Sequence, residues 1–590
     1  MRKKIILIVV FLLAFSSTGM LLSQKTGEDG KFEKKLNSYL DEFWEFYPTE
    51  ATLAGYHKYD NKLDDLSEKN LDKRHEVLGR FNQYFVAKID KYELSLEVQI
   101  DHEIVIDSID FEIFRLENLL PWEYNPIFYN NILNNCIRSL FSKEFAPIET
   151  RAKNAADRLK GLPKLIKQAK ENLKTPPQLF TETAIKQFPG IIDFYKNELP
   201  QLIEETPADS KSKLQKYLAE VLPALEDYQN FLQNELLPKS TGNFRLGQQA
   251  HQRILRLTLQ TDITVQEFID RAAADYNNIR DKEMAMVCLG LFRIMYPDIN
   301  MEQLTAQRGE EEMRNIIIKG VMDKIKKEHV AKEEYIDRIK TITGEIKNFV
   351  IENDLLELPE ESLNIELMPL ESQGITWTRL VPPGIYETSG TYSFQVTPIP
   401  EDWDEEKTNS FLEEYNNFLL YFWTSRNVYP GQFVPMFYTR QFSSQLRNLF
   451  PNMPIIKAWP IFLEEKLVTS GFGNYDLKLR LNQLKLLLKA VMDFQLELNI
   501  HTGSMTKDQA IAYMTGRGFQ TIAEAERKWN HIILNPGDSA CAYVGYQEIL
   551  DMEKKYKELK GNSFNQKEFF KKLLSYGALS LRHLKKKILE

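Results

Sequence analysis

The feature that most constrains this chain is its hydrophobic period. From Phe32 onward, apolar residues recur at the three- and four-residue spacing of one helical face along almost all of the 590 residues. Lys34–Phe46 shows the pattern with Leu36, Leu40, Phe43 and Trp44. Further amphipathic helices are expected at 68–92, 94–119, 146–174, 210–236, 264–281 and 315–352. Pro121, Pro126, Pro147, Pro176, Pro177 and Pro200 punctuate them as turns or first-turn prolines. Thr264 and Glu267 have the spacing of a capping box. Leu477–Val491 is apolar on nearly every side, which predicts a helix at the centre of the core. No fixed-period repeat supports a solenoid.

One stretch departs from this period. Within 359–400, Leu363–Leu367, Thr376–Leu380 and Tyr392–Thr397 alternate and are rich in β-forming residues, with Pro382–Gly384 between the last two. Helical spacing resumes at Glu405–Trp423 and continues to the end. The expected fold class is mostly α, with many helices and a small β element around 359–400.

A hydrophobic content of 43%, with 26 Gly and 25 Pro, excludes collagen-like and disordered classes. The formal net charge of −9 argues against a nucleic-acid partner, which needs a basic face. Cys136, Cys288 and Cys541 are far apart and odd in number, so they read as small buried apolar residues rather than a disulfide framework.

Arg2, Lys3 and Lys4 precede the apolar run Ile5–Phe15, followed by Ser16, Ser17, Thr18 and Gly19. This is the pattern of a secretory signal, assigned to residues 1–23, and it places the protein in the periplasm or outside the cell. An uncleaved N-terminal membrane anchor is the alternative. With no Cys nearby, a lipoprotein anchor is not expected. Gln24–Lys31 reads as a flexible polar linker to a helical domain over 32–590. No later segment is apolar enough to span a membrane.

A search for chemistry by motif returns little. Of the eight His, two are followed by Glu, as His75-Glu76 and His102-Glu103. A zinc-binding helix needs a second His four residues on, where this chain has Gly79 and Ile106, so both read as helix-surface histidines. Glu497 and His501 are four apart near a helix end and share a face, an arrangement in which a carboxylate orients an imidazole. The competing reading is a helix-terminal His with an ordinary partner.

Val428-Tyr429-Pro430-Gly431, after Glu413-Glu414-Tyr415-Asn416 and before Gln432-Phe433, resembles the signature of the bacterial domain-of-unknown-function family 885. That signature reads His-Glu-x-Tyr-Pro-Gly-His, followed by Glu-Gly-Trp-Ala, and the family resembles zinc metallopeptidases. Other blocks fall in family order: Pro48, Ala51, Gly55 and His57; Trp122 and Asn125-Pro126; Phe244-Arg245-Leu246-Gly247; Asn499-Ile500-His501; Pro536 and Gly545. The resemblance implies one large multi-helix, metallopeptidase-like unit with a deep cleft, leaves open two lobes that meet near 240, and implies zinc as the family's metal.

At the signature this chain departs from the pattern. The two His fall on Arg426 and Gln432, the catalytic Glu on Asn427, and the later Glu on Lys457, while Tyr429, Pro430, Gly431 and Trp459 remain. Neutral amides are poor zinc ligands, and guanidinium has no lone pair to give. Without Glu at 427 no base takes a proton from metal-bound water. No cofactor is therefore expected. The family's late Tyr falls on Ala542, with Tyr543 one step on.

The first functional reading is an exported, non-catalytic metallopeptidase-like protein that binds peptides or acts as a scaffold. Its binding candidates are Arg426, Tyr429, Lys457 and Trp459, with a peptide C-terminus meeting Arg426 and Lys457. Such a cleft is expected to stay balanced by acids near Glu464, Glu465 or Glu497. The second reading is an active peptidase on a rearranged site of Glu497, His501 and Tyr543. The third is a structural interaction protein with a vestigial cleft.

Overall fold

The computed structural model describes residues 27–299, 308–373, 376–387, 390–441 and 444–590. The signal segment lies outside the described residues. Of the expected linker, residues 27–31 are not a linker but the first turn of the helix Gly27–Phe46. Tertiary contacts order this polar stretch: the buried Asp29 carboxylate accepts from the Ser95 N–H at 2.9 Å, and Glu28 accepts from the Asp90 N–H at 3.0 Å.

The amphipathic stretches form helices close to their expected bounds. They appear as Glu68–Lys88, Leu96–Phe114, Ile148–Asn172, Ala208–Asn230 and Val265–Asn278. Thr264 caps the last of these, accepting from the Glu267 N–H at 3.2 Å. Two expected helices are broken in the middle. The 315–352 stretch is two helices, Glu310–Ile325 and Tyr335–Glu352. The break frees the Glu328 carbonyl to accept from Asn417 N–H at 2.8 Å, and the Glu328 carboxylate to meet Lys478 at 2.7 Å. The 405–423 stretch divides into Glu405–Glu414 and Leu419–Asn427 because Asn416 turns its side chain onto the N–H groups of Phe418 and Leu419.

The β element is a three-stranded sheet of β1 (Leu363–Leu367), β2 (Thr378–Val381) and β3 (Tyr392–Val396), in the order β1-β3-β2. β3 runs parallel to β1 and antiparallel to β2. β2 begins two residues later than the alternation implied, and its outer edge is an edge of the sheet.

The helix Leu477–His501 is the axis of the C-terminal half, with every residue from Leu481 to Phe494 buried. That burial includes Lys485, Lys489 and Asp493. A contiguous hydrophobic core extends from Phe32 to Ile588, across the boundary expected near 240. The three cysteines are free and buried in it. Among the described residues no helix is long and apolar enough to cross a membrane.

Candidate functional site

The Tyr-Pro-Gly turn acts as a clamp. The helix Leu419–Asn427 ends, the Tyr429–Pro430 peptide is cis, and the chain re-enters a helix at Phe433–Arg440. Gly431 lies so close to the end of the first helix that a Cβ there would sit 2.0 Å from the Ser425 carbonyl oxygen, which leaves room only for glycine. Gln432 N–H then donates to the Arg426 carbonyl at 2.7 Å. The indole Nε1 of buried Trp459 donates to the Pro430 carbonyl at 2.8 Å. Tyr429 turns its hydroxyl to the Glu361 carbonyl at 3.1 Å. Tyr429 and Trp459, expected as binding residues, thus hold the turn in place and do not line the cavity.

The clamp turns Arg426, Asn427 and Gln432 toward one cavity of about 360 Å3, where Lys457 joins them from the helix Met453–Thr469. All four departures from the signature therefore line one cavity. It is lined as well by Lys489 and Asp493 of the central helix and by Glu524, Arg527, Lys528 and His531 of the helix Ile522–Leu534. Asp538 and Ala542 come from the helix Asp538–Lys560. Trp377, Tyr415 and Trp423 add aromatic rings, and residues 376–380 lead into and along β2.

Ion pairs run round the wall. Arg426 grips the fully buried Glu464 with Nε and Nη2, the latter at 3.0 Å from Oε2. Burial raises the Glu464 carboxyl above its ordinary range, and the Arg426 charge opposes that rise. Lys457 pairs with Asp538, whose other oxygen meets His531 Nε2 at 2.8 Å. Burial works against both charges of this pair. Their mutual attraction outweighs it, holding Lys457 above and Asp538 well below its usual value. His531 is depressed by burial, with Asp538 opposing.

A second network also borders the cavity: Lys489 bridges Glu414 at 3.1 Å and Glu524 at 2.8 Å, Lys485 meets Glu414 at 3.0 Å, and Arg527 forks onto Glu524 with both bonds at 2.7 Å. Lys528 meets Asp493 at 2.6 Å. These residues escaped the motif search. Their signal in the sequence is Lys485, Lys489 and Asp493, spaced by four in the otherwise apolar stretch 484–494, where a charged row needs a buried partner.

The rearranged catalytic set is not assembled. Glu497 and His501 are fully buried and lie behind the cavity wall. Glu497 accepts from the Gly537 N–H at 2.7 Å and meets His251 Nε2 at 2.9 Å. His501 faces the Ile532 carbonyl at 3.0 Å, and burial lowers its pKa. Tyr543 donates to Asp275 at 2.8 Å, away from the cavity that its neighbour Ala542 lines. Of the two His-Glu pairs, His75 is on the surface beside Glu117 at 2.8 Å. His102 is not a surface residue as expected: it is buried, with Nε2 2.9 Å from the Phe85 carbonyl oxygen.

Zinc does not fit the donors at the signature positions, which offer a guanidinium, two amides and an ammonium. Among the described residues no group of three or more His, Cys, Asp and Glu side chains is placed to hold a metal ion.

The chain belongs to the family described as bacterial proteins of unknown function, DUF885, whose model matches residues 48–588. No curated protein matches it. Its fold is similar to that of a candidate lipoprotein of unknown function from Shewanella oneidensis, with a TM-score of 0.78, 24% identity, and coverage of 95% of this chain and 100% of that one. It is also similar to a candidate lipoprotein from Colwellia psychrerythraea, with a TM-score of 0.73, 14% identity, and coverage of 95% and 99%.

Proposed function

We propose that the protein is an exported, non-catalytic member of its family, metallopeptidase-like in descent, whose cleft binds peptides through their carboxylates. One observation carries the reading. The four positions where the resemblance puts metal ligands and a base line one cavity, and two of them are cations locked to Glu464 and Asp538. The cavity is kept while the groups that would activate water are replaced by a balanced set of ion pairs. Arg426 and Lys457 already have partners, so a ligand carboxylate shares these cations with Glu464 and Asp538. The description of similar structures as candidate lipoproteins agrees with export. A hydrolase built on Glu497, His501 and Tyr543 has less support, because none of the three lines the cavity.

Two measurements test the proposal. Protein purified without an affinity tag should carry far less than one zinc per chain, and near-stoichiometric zinc would overturn the non-catalytic reading. Calorimetric titration with short peptides bearing free carboxyl termini should show binding that weakens in Arg426→Ala and Lys457→Ala. Affinity unchanged in both would exclude these cations from recognition.

A further inference from the structure

We propose that the tip of the hairpin formed by the helices Glu68–Lys88 and Leu96–Phe114 is a membrane seat: residues 1–22 stay on the chain as an anchor, and Val86, Tyr92 and Leu96 rest in the interfacial layer of the same bilayer. The inference concerns a surface remote in sequence from the cleft residues and does not depend on what the cleft binds.

The first observation is in the sequence. Ile5–Leu22 runs for eighteen residues without a charge. A secretory signal carries an apolar region of about 7–15 residues, whereas about 18 or more can cross a bilayer. Arg2, Lys3 and Lys4 in front of the run favour the cytoplasmic side, which puts the body outside, in line with export. Only Ser23, Gln24, Lys25 and Thr26 separate the run from the helix Gly27–Phe46. Five residue steps reach at most about 18 Å, of which the headgroup layer takes roughly 5–8 Å. The start of that helix is therefore held against the bilayer surface, and whatever stands beside it meets lipid.

The second observation is what stands there. Lys31 donates to the Lys88 carbonyl, Glu28 accepts from the Asp90 N–H at 3.0 Å, and Asp29 accepts from the Ser95 N–H at 2.9 Å. The rings of Phe32 and Phe85 pack with centroids 5.6 Å apart. The hairpin tip is thus fixed to the first turn of the helix that leaves the anchor. It has its own internal support: Ile89 and Leu94 are buried, and the Asp90 side chain accepts from the Tyr92 N–H at 3.0 Å. Yet it turns apolar groups outward. Tyr92 is 89% exposed, more than any other large apolar side chain among the described residues, and Val86 and Leu96 are each 62% exposed. An exposed apolar group rimmed by polar residues marks an interaction surface, and tyrosine favours the bilayer interface, where its ring meets lipid and its hydroxyl meets water.

Charge does not choose the lipid. Within residues 27–31 and 86–96, Lys31, Lys88 and Lys91 stand against Glu28, Asp29, Asp90 and Glu93. With no basic excess the tip is not drawn to anionic headgroups. Its seat depends on the apolar side chains and on the anchor, which makes the contact intramolecular and lets a small patch suffice. Zwitterionic lipid is therefore enough.

The test reconstitutes the full chain into phosphatidylcholine vesicles with Tyr92→Cys, Leu96→Cys or Lys69→Cys carrying an environment-sensitive fluorophore. Cys136, Cys288 and Cys541 are buried and stay unlabelled. Lys69 is exposed at the far end of the same helix, about 28 Å from Lys88. The labels at 92 and 96 should shift to the blue and lose roughly half or more of their emission to spin-labelled lipid, and the label at 69 should do neither. The difference should persist in about 1 M salt, where charge contacts are screened beyond about 3 Å. Equal quenching at all three positions, or none at 92 and 96, would overturn the seat. The unaltered protein gives an independent readout: the intact mass of chain extracted from the membranes of producing cells should include residues 1–22. A mass showing that the chain begins after Gly19 would overturn the anchor and the proposal with it.

Discussion

Glu497 accepts a 2.7 Å hydrogen bond from the backbone N–H of Gly537, the residue before Asp538. A carboxylate that never reaches the cavity thus sets the start of the helix that delivers Asp538 to Lys457. Its other close partner is the buried His251. Removing Glu497 leaves a buried N–H and a buried imidazole without their acceptor, each costing about 1–3 kcal/mol. Glu497→Ala should therefore lower the urea midpoint strongly. Glu497→Gln keeps an acceptor for Gly537 and should cost less. Equal loss in both variants would show that the Gly537 bond is not what Glu497 contributes.

The Arg426–Glu464 pair is a second point of strain when broken. Glu464 is fully buried and Arg426 is about one-fifth exposed, at 22%. Taking away one partner of a buried pair costs about 3–5 kcal/mol, a figure reduced here by the partial exposure of Arg426. Arg426→Met should be strongly destabilised, because it leaves a carboxyl with no counter-charge. The double variant Arg426→Met with Glu464→Leu should recover much of the loss. Thermal melts of the two single variants and the double variant form the cycle, and additive losses would deny coupling.

His531 carries a pH dependence of definite sign. Burial lowers its pKa in the folded chain below the unfolded value of about 6.5, with Asp538 opposing. The unfolded state therefore binds the proton more readily, and the contribution of His531 is present above about pH 6.5 and lost as pH falls through the folded value. A tenfold difference in proton affinity between the two states is worth about 1.4 kcal/mol. The stability difference between wild type and His531→Asn should shrink from pH 7.5 to pH 5.5. A difference that grows over that range would reverse the assignment.

Two helices that flank the site pack at a distance that depends on one missing side chain. A Cβ at Gly545 would lie 2.3 Å from the Pro454 carbonyl oxygen and 2.7 Å from the Ala458 Cβ. Gly545→Ala must force Met453–Thr469 and Asp538–Lys560 apart, at a cost of about 1–3 kcal/mol or more. Since these helices carry Lys457 and Asp538, the variant should lose peptide affinity as well as thermal stability. Unchanged melting would contradict the close approach. Trp459→Phe loses the indole bond to Pro430 and leaves a cavity at a fully buried position, so it should cost more in a thermal melt than the about 1 kcal/mol of one hydrogen bond.

Period and alternation in the residues were enough for the helical class, the location of the small sheet and the burial of the central helix from Leu481 to Val491, though not of its exposed first residue Leu477, because each rests on local spacing that one face of an element must satisfy. The resemblance to a known family signature, and not the period, brought out Arg426, Asn427, Gln432 and Lys457 as departures, and these do meet at one cavity. Folding in three dimensions decided the rest. The breaks at 326–334 and 415–418 exist because backbone and side-chain groups there find partners far along the chain or cap the next helix. Whether Glu497, His501 and Tyr543 touch a ligand depended on which way their helices turned: Tyr543 faces Asp275 while Ala542 faces the cavity. The partners of Arg426 and Lys457, thirty-eight and eighty-one residues away, were equally beyond local reading. Spacing along a chain determines which residues share a face, but only packing determines what that face meets.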